Sequence, residues 1–402
     1  MSLSARELAL DPVLSSSSGK QIAILGSRGY PSYYGGFETL VRHLAPYLVQ
    51  RGHAVTVYGR GHEQRATTGG QDVIVRTTWG IDKKSTSTLT YGLTGSLDLT
   101  RQGCNSALIL NVANGFFLKR LQRHGIRTCV NVDGLEWMRG KWGPAGKAVF
   151  RRGAALTARY ADELVFDSEA LRTFWEDRFA RGEGHFIPYG APVLHSVGTD
   201  RLKAAGLPEG GYVLVVARLV PENNVDLLLD AIDLLAPRPE VIVVGSGNYK
   251  SELVARVTRL DAERRVRWLG HLSDQDLLDQ LWANAAVYWH GHSVGGTNPA
   301  LLQALGAGAP TLALDTAFNR EVLGSTRQLV SGNVSVLAQR IEELQSSSYL
   351  VTAFKESGKA TVAARYNWDS VCLDYAELLE AETEASSHRP LPYREYAGIT
   401  ER

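Results

Sequence analysis

Residues 21–58 read QIAILGSRGYPSYYGGFETLVRHLAPYLVQRGHAVTVY, and their reading decides the fold class. Gln21 to Leu25 is a short β-rich run that stops at Gly26. Gly29, Gly35 and Gly36 follow, and then an apolar pattern at Leu40, Val41, Leu44 and Leu48 has the helical period. Pro46 sits inside that pattern and predicts a kink. Arg51-Gly52-His53 ends the helix and Ala54 to Tyr58 is the next strand. Strand, glycine loop, helix, strand is a βαβ unit, which favours a parallel, doubly wound α/β sheet. The loop is not a dinucleotide fingerprint, because it has no G-x-G-x-x-G, and it has no Walker lysine. The pair Gly35-Gly36 still permits close backbone approach to a phosphate or sugar.

The same rhythm continues in both directions along the chain. Further strands are predicted at Val73–Arg76, Ala107–Asn111, Thr128–Val132, Ala161–Asp167 and His185–Gly190. The strand before Asp133 leads into DGLEW, with Arg139, Lys141 and Trp142 beyond it, so Asp133 and Glu136 fall where open α/β sheets bind ligands. A polar stretch, 191–211, reads as a linker, and a second series starts at Tyr212–Val216. Arg218 closes that strand and is suited to gripping phosphate, or alternatively to pairing with Glu222. Later, 290–310 reads HGHSVGGTNPALLQALGAGAP, a glycine turn feeding a helix from Ala300. The free N–H groups of such a helix start suit anions and hydroxyls. Ser273-Asp274-Gln275-Asp276 contains a D-x-D, but the leucines after it make a helix cap the better account, and no metal is assigned.

With 402 residues, 44% hydrophobic and 21% charged, the chain has the composition of a soluble globular protein of two domains. No apolar run reaches the roughly 18 residues of a membrane span, and no secretory signal is read at the N-terminus. Cys104, Cys129 and Cys372 lack metal-ligand spacing, which predicts reduced thiols and a cytoplasmic location. The net charge of +1 hides an asymmetry: Phe116 to Tyr160 holds ten Lys or Arg against Asp133 and Glu136. That segment predicts an anionic partner on one face. Within it, Lys147–Tyr160 reads as an amphipathic helix with Lys147, Arg151, Arg152 and Arg159 on one side, and Val149, Phe150, Leu156 and Tyr160 on the other. Such a helix, with Phe116, Phe117, Lys119, Arg120 and Arg123 beside it, suits the surface of an anionic bilayer.

Four blocks in this order carry a resemblance. GSRGYPSYYGGFETLVRHL, NVDGLEWMRGKW, ARLVPENN and HGHSVGGTNPALLQALGAGAP with FNREVL after it resemble the retaining glycosyltransferases of family 4. Within that family they are similar to the bacterial rhamnosyltransferase-like branch of capsule and exopolysaccharide synthesis. The likeness spans roughly residues 20 to 385 and implies the GT-B architecture. That means two Rossmann-like doubly wound domains facing a central cleft, with a C-terminal helix crossing back to the first. The implied boundaries are a tail at 1–20, an acceptor domain at 21–192, a nucleotide-sugar domain at 193–365, the returning helix at 366–385 and a tail at 386–402.

The resemblance also implies site roles. Gly35 and Gly36 would approach the donor, Arg218 would neutralise its diphosphate, and Glu222 and Asn223 would flank that site. The broad family has a lysine where Asn223 stands, and two glutamates where Gly295 and Gln303 stand. In the GGTNP variant, backbone N–H groups from Gly295 and Gly296, with Thr297 or Asn298, would hold the sugar. Gln303 would meet the ribose without a charge-assisted bond. Asp133 or Glu136 would orient or deprotonate the acceptor, and Arg139, Lys141, Trp142, Lys147, Arg151 and Arg152 would form the acceptor and membrane face. The implied reaction is metal-free transfer of L-rhamnose from dTDP-rhamnose to a lipid-diphosphate-linked saccharide on the inner face of the cytoplasmic membrane. Two alternatives stand beside it: a silent nucleotide-sugar-binding scaffold, suggested by Gly295 and Gln303, and a GT-B sugar-nucleotide epimerase.

Overall fold

The first strand, β1 (Gln21–Leu25), is buried at four of its five positions, as a strand covered by helices on both faces must be. It lies inside a sheet with β2 (Ala54–Gly61), β3 (Arg65–Thr68), β4 (Ile74–Trp79), β5 (Ser106–Leu110), β6 (Arg127–Asn131), β7 (Glu163–Phe166) and β8 (His185–Phe186). A second sheet holds β9 (Val213–Val216), β10 (Val241–Val244), β11 (Arg267–Trp268), β12 (Val287–His290), β13 (Thr311–Leu314) and β14 (Leu329–Val330). These elements come from a computed structural model that describes residues 19–382 except 33–34, 62–64, 69–71, 82–85, 141 and 248–250. Residues 1–18 and 386–402 of the expected tails, and Lys141, lie outside the described residues.

Across the first sheet the order is β3-β4-β2-β1-β5-β6-β7-β8, and across the second β11-β10-β9-β12-β13-β14. Every pairing is parallel except β3 with β4. The second sheet is thus the 3-2-1-4-5-6 order of a doubly wound domain, and the first has the same switch of direction at β1 and β5. Ligand crevices belong at the carboxyl ends of the strands flanking such a switch. The antiparallel edge strand β3 is absent from the sequence reading. Its four residues, RATT, carry no apolar alternation and its place is set by pairing with β4.

The helix after β1 runs Gly36–Gln50 without a break at Pro46, burying Leu40, Val41, Leu44 and Leu48. The expected basic helix is Pro144–Tyr160. Its buried face corrects the periodicity reading: Phe150, Gly153, Ala154 and Thr157 are buried, while Val149 and Leu156 are only half-covered. Small residues win because this helix crosses the 112–115 backbone closely. A methyl on Gly153 would sit 2.5 Å from the Val112 carbonyl oxygen. Arg151, Arg152 and Arg159 remain exposed.

The two domains are joined by paired crossings. Ala191 N–H donates to the Tyr366 carbonyl at 2.7 Å, and Leu194 N–H to the Gly306 carbonyl at 2.9 Å. Beyond the second crossing, Trp368–Glu380 forms a helix that lies on the first domain. Arg51 grips the Glu380 carboxylate from two nitrogens at 2.6 and 2.8 Å, and His53 Nε2 reaches it at 2.8 Å. Ser106 donates to the Leu379 carbonyl, and Asn131 to the Tyr375 hydroxyl at 2.7 Å. Two Rossmann-like sheets with a C-terminal helix returned to the first are the GT-B arrangement that the resemblance implied.

Candidate active site

The carboxyl ends of β5, β6 and β7 bring three side chains to one crevice. Asn111 and Asp133 follow β5 and β6 and both hold left-handed backbone, with φ of 77° and 60°. For residues other than glycine that conformation is costly and clusters at functional sites. The Asn111 amide donates to Asp133 Oδ2 at 3.0 Å, joining the two. Asp167 follows β7, with 2% of its surface exposed.

Around Asp133 the charges are arranged in a ring. Burial raises the Asp133 pKa, Arg139 opposes that shift and Glu136 adds to it. Glu136 is itself buried, paired with Arg139 at 2.9 Å, and accepts from Trp142 Nε1 at 3.0 Å. Burial disfavours the Arg139 charge, yet Asp133, Glu136 and Glu222 outweigh it and its pKa is raised. Glu222 belongs to the second domain, so this ring spans the cleft. Trp137 is buried against Phe174 and Phe179 as a packing residue.

On the second domain, adjacent strands β9 and β12 supply the facing wall. Arg218 is exposed at the end of β9 and makes no ion pair among the described residues, including with Glu222. Its loop is rigid, because Asn223 donates to the Arg218 carbonyl at 2.8 Å and Ser293 N–H to the Glu222 carbonyl at 2.9 Å. His292, past the end of β12, is lowered to about 3 by burial, with Arg218 and Arg139 adding repulsion. It is therefore neutral, and stacks on His290 with ring centroids 4.4 Å apart.

The glycine turn after β12 touches the first domain directly. Gly295 has φ of 139°, a conformation reserved for glycine. A methyl on Gly134 would lie 2.8 Å from its Cα. Gly296 abuts the Asp167 carboxylate so closely that any side chain would overlap it. The Thr297 hydroxyl donates to the Asp167 carbonyl. Asn298 caps the helix Pro299–Ala307, its side chain accepting from Ala300 N–H at 2.9 Å. Gly36 meets this same helix: Pro299 and Tyr189 would both be 3.3 Å from a methyl there. Thus Gly36 of the first glycine loop and Pro299 of the GGTNP turn meet across the cleft, while Gly35 lies against Glu38.

Gln303 lies one turn into that helix, half-buried, and accepts weakly from Gln275 at 3.5 Å. Gln275 opens a helix capped by Asp274, whose carboxylate accepts from Leu277 N–H at 3.1 Å, as expected for the D-x-D stretch. On the basic helix, Lys147 is half-buried and Arg151 and Arg152 are exposed.

Three acids and a tyrosine of this site were not singled out from sequence. Glu38 accepts from Arg28 N–H at 3.1 Å and braces the first glycine loop. Glu321 accepts from Glu169 and Ala170 N–H at 2.9 and 3.2 Å. Asp167 and Tyr189 complete the set. Asp167 carries the one readable signal, since it follows its strand as Asp133 follows β6, immediately before the helix cap Ser168.

Comparison with known proteins agrees with this fold. Residues 201–361 match the family described as glycosyl transferases group 1, and residues 107–192 match a domain of unknown function, DUF1972. A GDP-mannose-dependent monoacylated alpha-(1-6)-phosphatidylinositol monomannoside mannosyltransferase of Corynebacterium glutamicum is 30% identical over 177 residues, 41% of this chain and 46% of that protein. The chain therefore spans about half the length of this relative. Among solved structures, sucrose-phosphate synthase from Thermosynechococcus elongatus superposes with a TM-score of 0.73 at 17% identity, over 89% of this chain and 98% of that one. HepE from Anabaena in complex with UDP gives 0.68 at 18% identity, over 89% and 99%. The chain thus has the GT-B fold, and its residues 201–361 are similar to the glycosyl transferases group 1 family.

Proposed function

We propose that the chain is a retaining glycosyltransferase that moves a hexose from a nucleotide sugar to a saccharide carried on a lipid diphosphate, with dTDP-rhamnose as donor. The observation that carries this is Arg218. An exposed guanidinium, without an ion pair among the described residues, closes β9 at the switch point of the second sheet. There it can stabilise the negative charge that grows on a departing diphosphate. Support for a sugar nucleotide comes from the group 1 family match and from the fold shared with UDP-bound HepE.

In this reading the Gly295–Asn298 turn holds the donor sugar through backbone N–H groups, because the Thr297 and Asn298 side chains are already engaged. Gly35 and Gly36 close over it from the first domain. Asp133 faces the acceptor hydroxyl, and its raised pKa suits a group that accepts a proton. Glu136 orients Arg139 and Trp142 rather than the acceptor. As the donor C1–O bond breaks, the acceptor oxygen bonds to C1 from the same face and its proton leaves to Asp133 or the diphosphate. The exposed arginines of the basic helix bring the enzyme to an anionic membrane that carries the acceptor.

The test is a binding and turnover screen of dTDP-rhamnose against UDP- and GDP-sugars. Transfer or hydrolysis of dTDP-rhamnose, with kcat/KM falling about 10²–10³-fold in Arg218→Ala at unchanged melting temperature, supports the reading. Binding without turnover across a panel of acceptors replaces it with a silent scaffold.

A further inference from the structure

Two carboxylates reach across the cleft in opposite directions. From the first domain, the Asp167 carboxyl rests on the Gly296 backbone of the second, where a side chain would not fit, and Thr297 N–H lies within reach of it. The Thr297 hydroxyl donates to the Asp167 carbonyl, so one residue receives both polar groups of the turn. From the second domain, Glu321 accepts from Glu169 and Ala170 N–H at the start of the helix Glu169–Phe179. These amides follow Asp167 by two and three residues. The two contacts are therefore halves of one clasp.

The halves differ in charge. Glu321 suits a helix N-terminus as an anion, because the free N–H groups and the helix dipole favour negative charge there. Asp167 is compensated less: its Oδ1 is buried without a hydrogen-bond partner, and the Thr297 N–H only partly offsets the burial. The charged or titratable groups facing it are Asp133 after β6, Glu321, Tyr189 after β8 and Tyr375 on the C-terminal helix. None of them is a cation. An ionised carboxylate in that setting would be repelled by both acids, whereas a protonated one is tolerated.

We propose that Asp167 is a positioning residue that clasps the Gly295–Thr297 turn to the first domain and so shapes the donor-sugar end of the site. The proposal rests on the glycosyl-transfer reading for the identity of the ligand, but not for the clasp itself. The clasp is coupled to protons. Burial first, then Asp133, raises the Asp167 pKa to about 8 in this closed arrangement, against roughly 4 for a solvated aspartate. Because the closed state binds the proton more tightly, closure is supported fully below pH about 4. That support declines as pH rises and is gone above about 8.

Hydrogen exchange tests this without any ligand. Protection of the Glu169, Ala170 and Thr297 amides, corrected for the intrinsic pH dependence of exchange, should fall together by about tenfold or more between pH 5.5 and 8.5. In Asp167→Asn, which keeps the shape and cannot ionise, protection should stay level over that range. Wild-type protection that does not change with pH, or an Asp167→Asn profile that tracks wild type, would overturn the proposal. Should Asp167→Asn fail to melt cooperatively, Thr297→Val serves instead. It should lower protection several-fold at every pH while leaving the pH slope intact, and an unchanged level would equally count against the clasp. With dTDP-rhamnose as substrate, KM should rise with pH in wild type and not in Asp167→Asn, with kcat little affected. Absence of any turnover would defeat the transferase reading while the exchange result still decided the clasp.

Discussion

Gln303 is the residue whose chemistry departs furthest from what the family resemblance implies. Its amide sits beside Gln275, whose own nitrogen also donates to Asp279 at 2.7 Å. Gln275 can therefore donate one hydrogen to each side. We expect Gln303→Glu to be tolerated, with Gln275 donating to the new carboxylate. If position 303 meets the ribose, the charge-assisted bond should tighten nucleotide binding by about 1 kcal/mol, a factor of several. Calorimetry with the free nucleotide would show this; an unchanged or weaker affinity places the ribose elsewhere. Asp133 and Glu136, three residues apart, illustrate why residue type alone did not assign roles. Both are acids after a strand, but Glu136 is spent on Arg139 and Trp142, while Asp133 is held by Asn111 in a left-handed backbone facing the crevice.

Two elements carry predictions of their own. The returning helix Trp368–Glu380 is held at its end by Glu380, which the Arg51 hydrogen bonds keep below the usual carboxylate range. A depressed folded pKa means that its contribution exists above the unfolded value, near 4.3, and is lost as pH falls through the folded value. Glu380→Gln should therefore lower stability by about 1 kcal/mol at pH 7, since the carboxylate is partly exposed. The gap between mutant and wild-type melting curves should close below about pH 4. A gap that persists in acid would mean that packing, not charge, is responsible. The basic helix Pro144–Tyr160 makes a different claim. Its arginines are exposed and its buried face is narrow and made of small residues. Charge reversal of Arg151 and Arg152 should leave folding intact and weaken flotation with phosphatidylserine vesicles at low salt, by about 1 kcal/mol per charge removed. Wild-type protein that stays behind in that assay removes the membrane from the proposal.

At the scale of the whole molecule, the three thiols report on one half only. Cys104 and Cys129 are buried in the first domain, and Cys372 lies on the helix that returns to it. Burial pushes their pKa values up to about 11, 12 and 12, so they are poor nucleophiles while folded. The native protein should be inert to a thiol reagent at pH 8. In rising urea, all three cysteines should become reactive with unfolding of the first domain, the second unfolding without a thiol signal. A fast-reacting thiol in the absence of denaturant would show that the returning helix or the first sheet opens locally.

Much of this architecture was legible in the chain itself. Alternating apolar runs and helical periods set out two βαβ series, and four separated blocks named the glycines, Arg218 and Asp133 of the candidate site, because these features are local and survive translation along the sequence. What lay beyond reach was everything decided by facing surfaces. The buried stripe of the basic helix is Phe150, Gly153, Ala154 and Thr157 because the 112–115 backbone passes close to it, which no periodicity records. Edge strand β3 exists because β4 offers it a partner. Asp167, Glu321, Glu38 and Tyr189 come from segments far apart in sequence, and only the closing of one sheet upon the other puts them in a single crevice. Sequence determined that Asp133 and Arg218 follow strands; tertiary structure decided which strand ends meet, because the charge and burial that define a site are properties of neighbours in space.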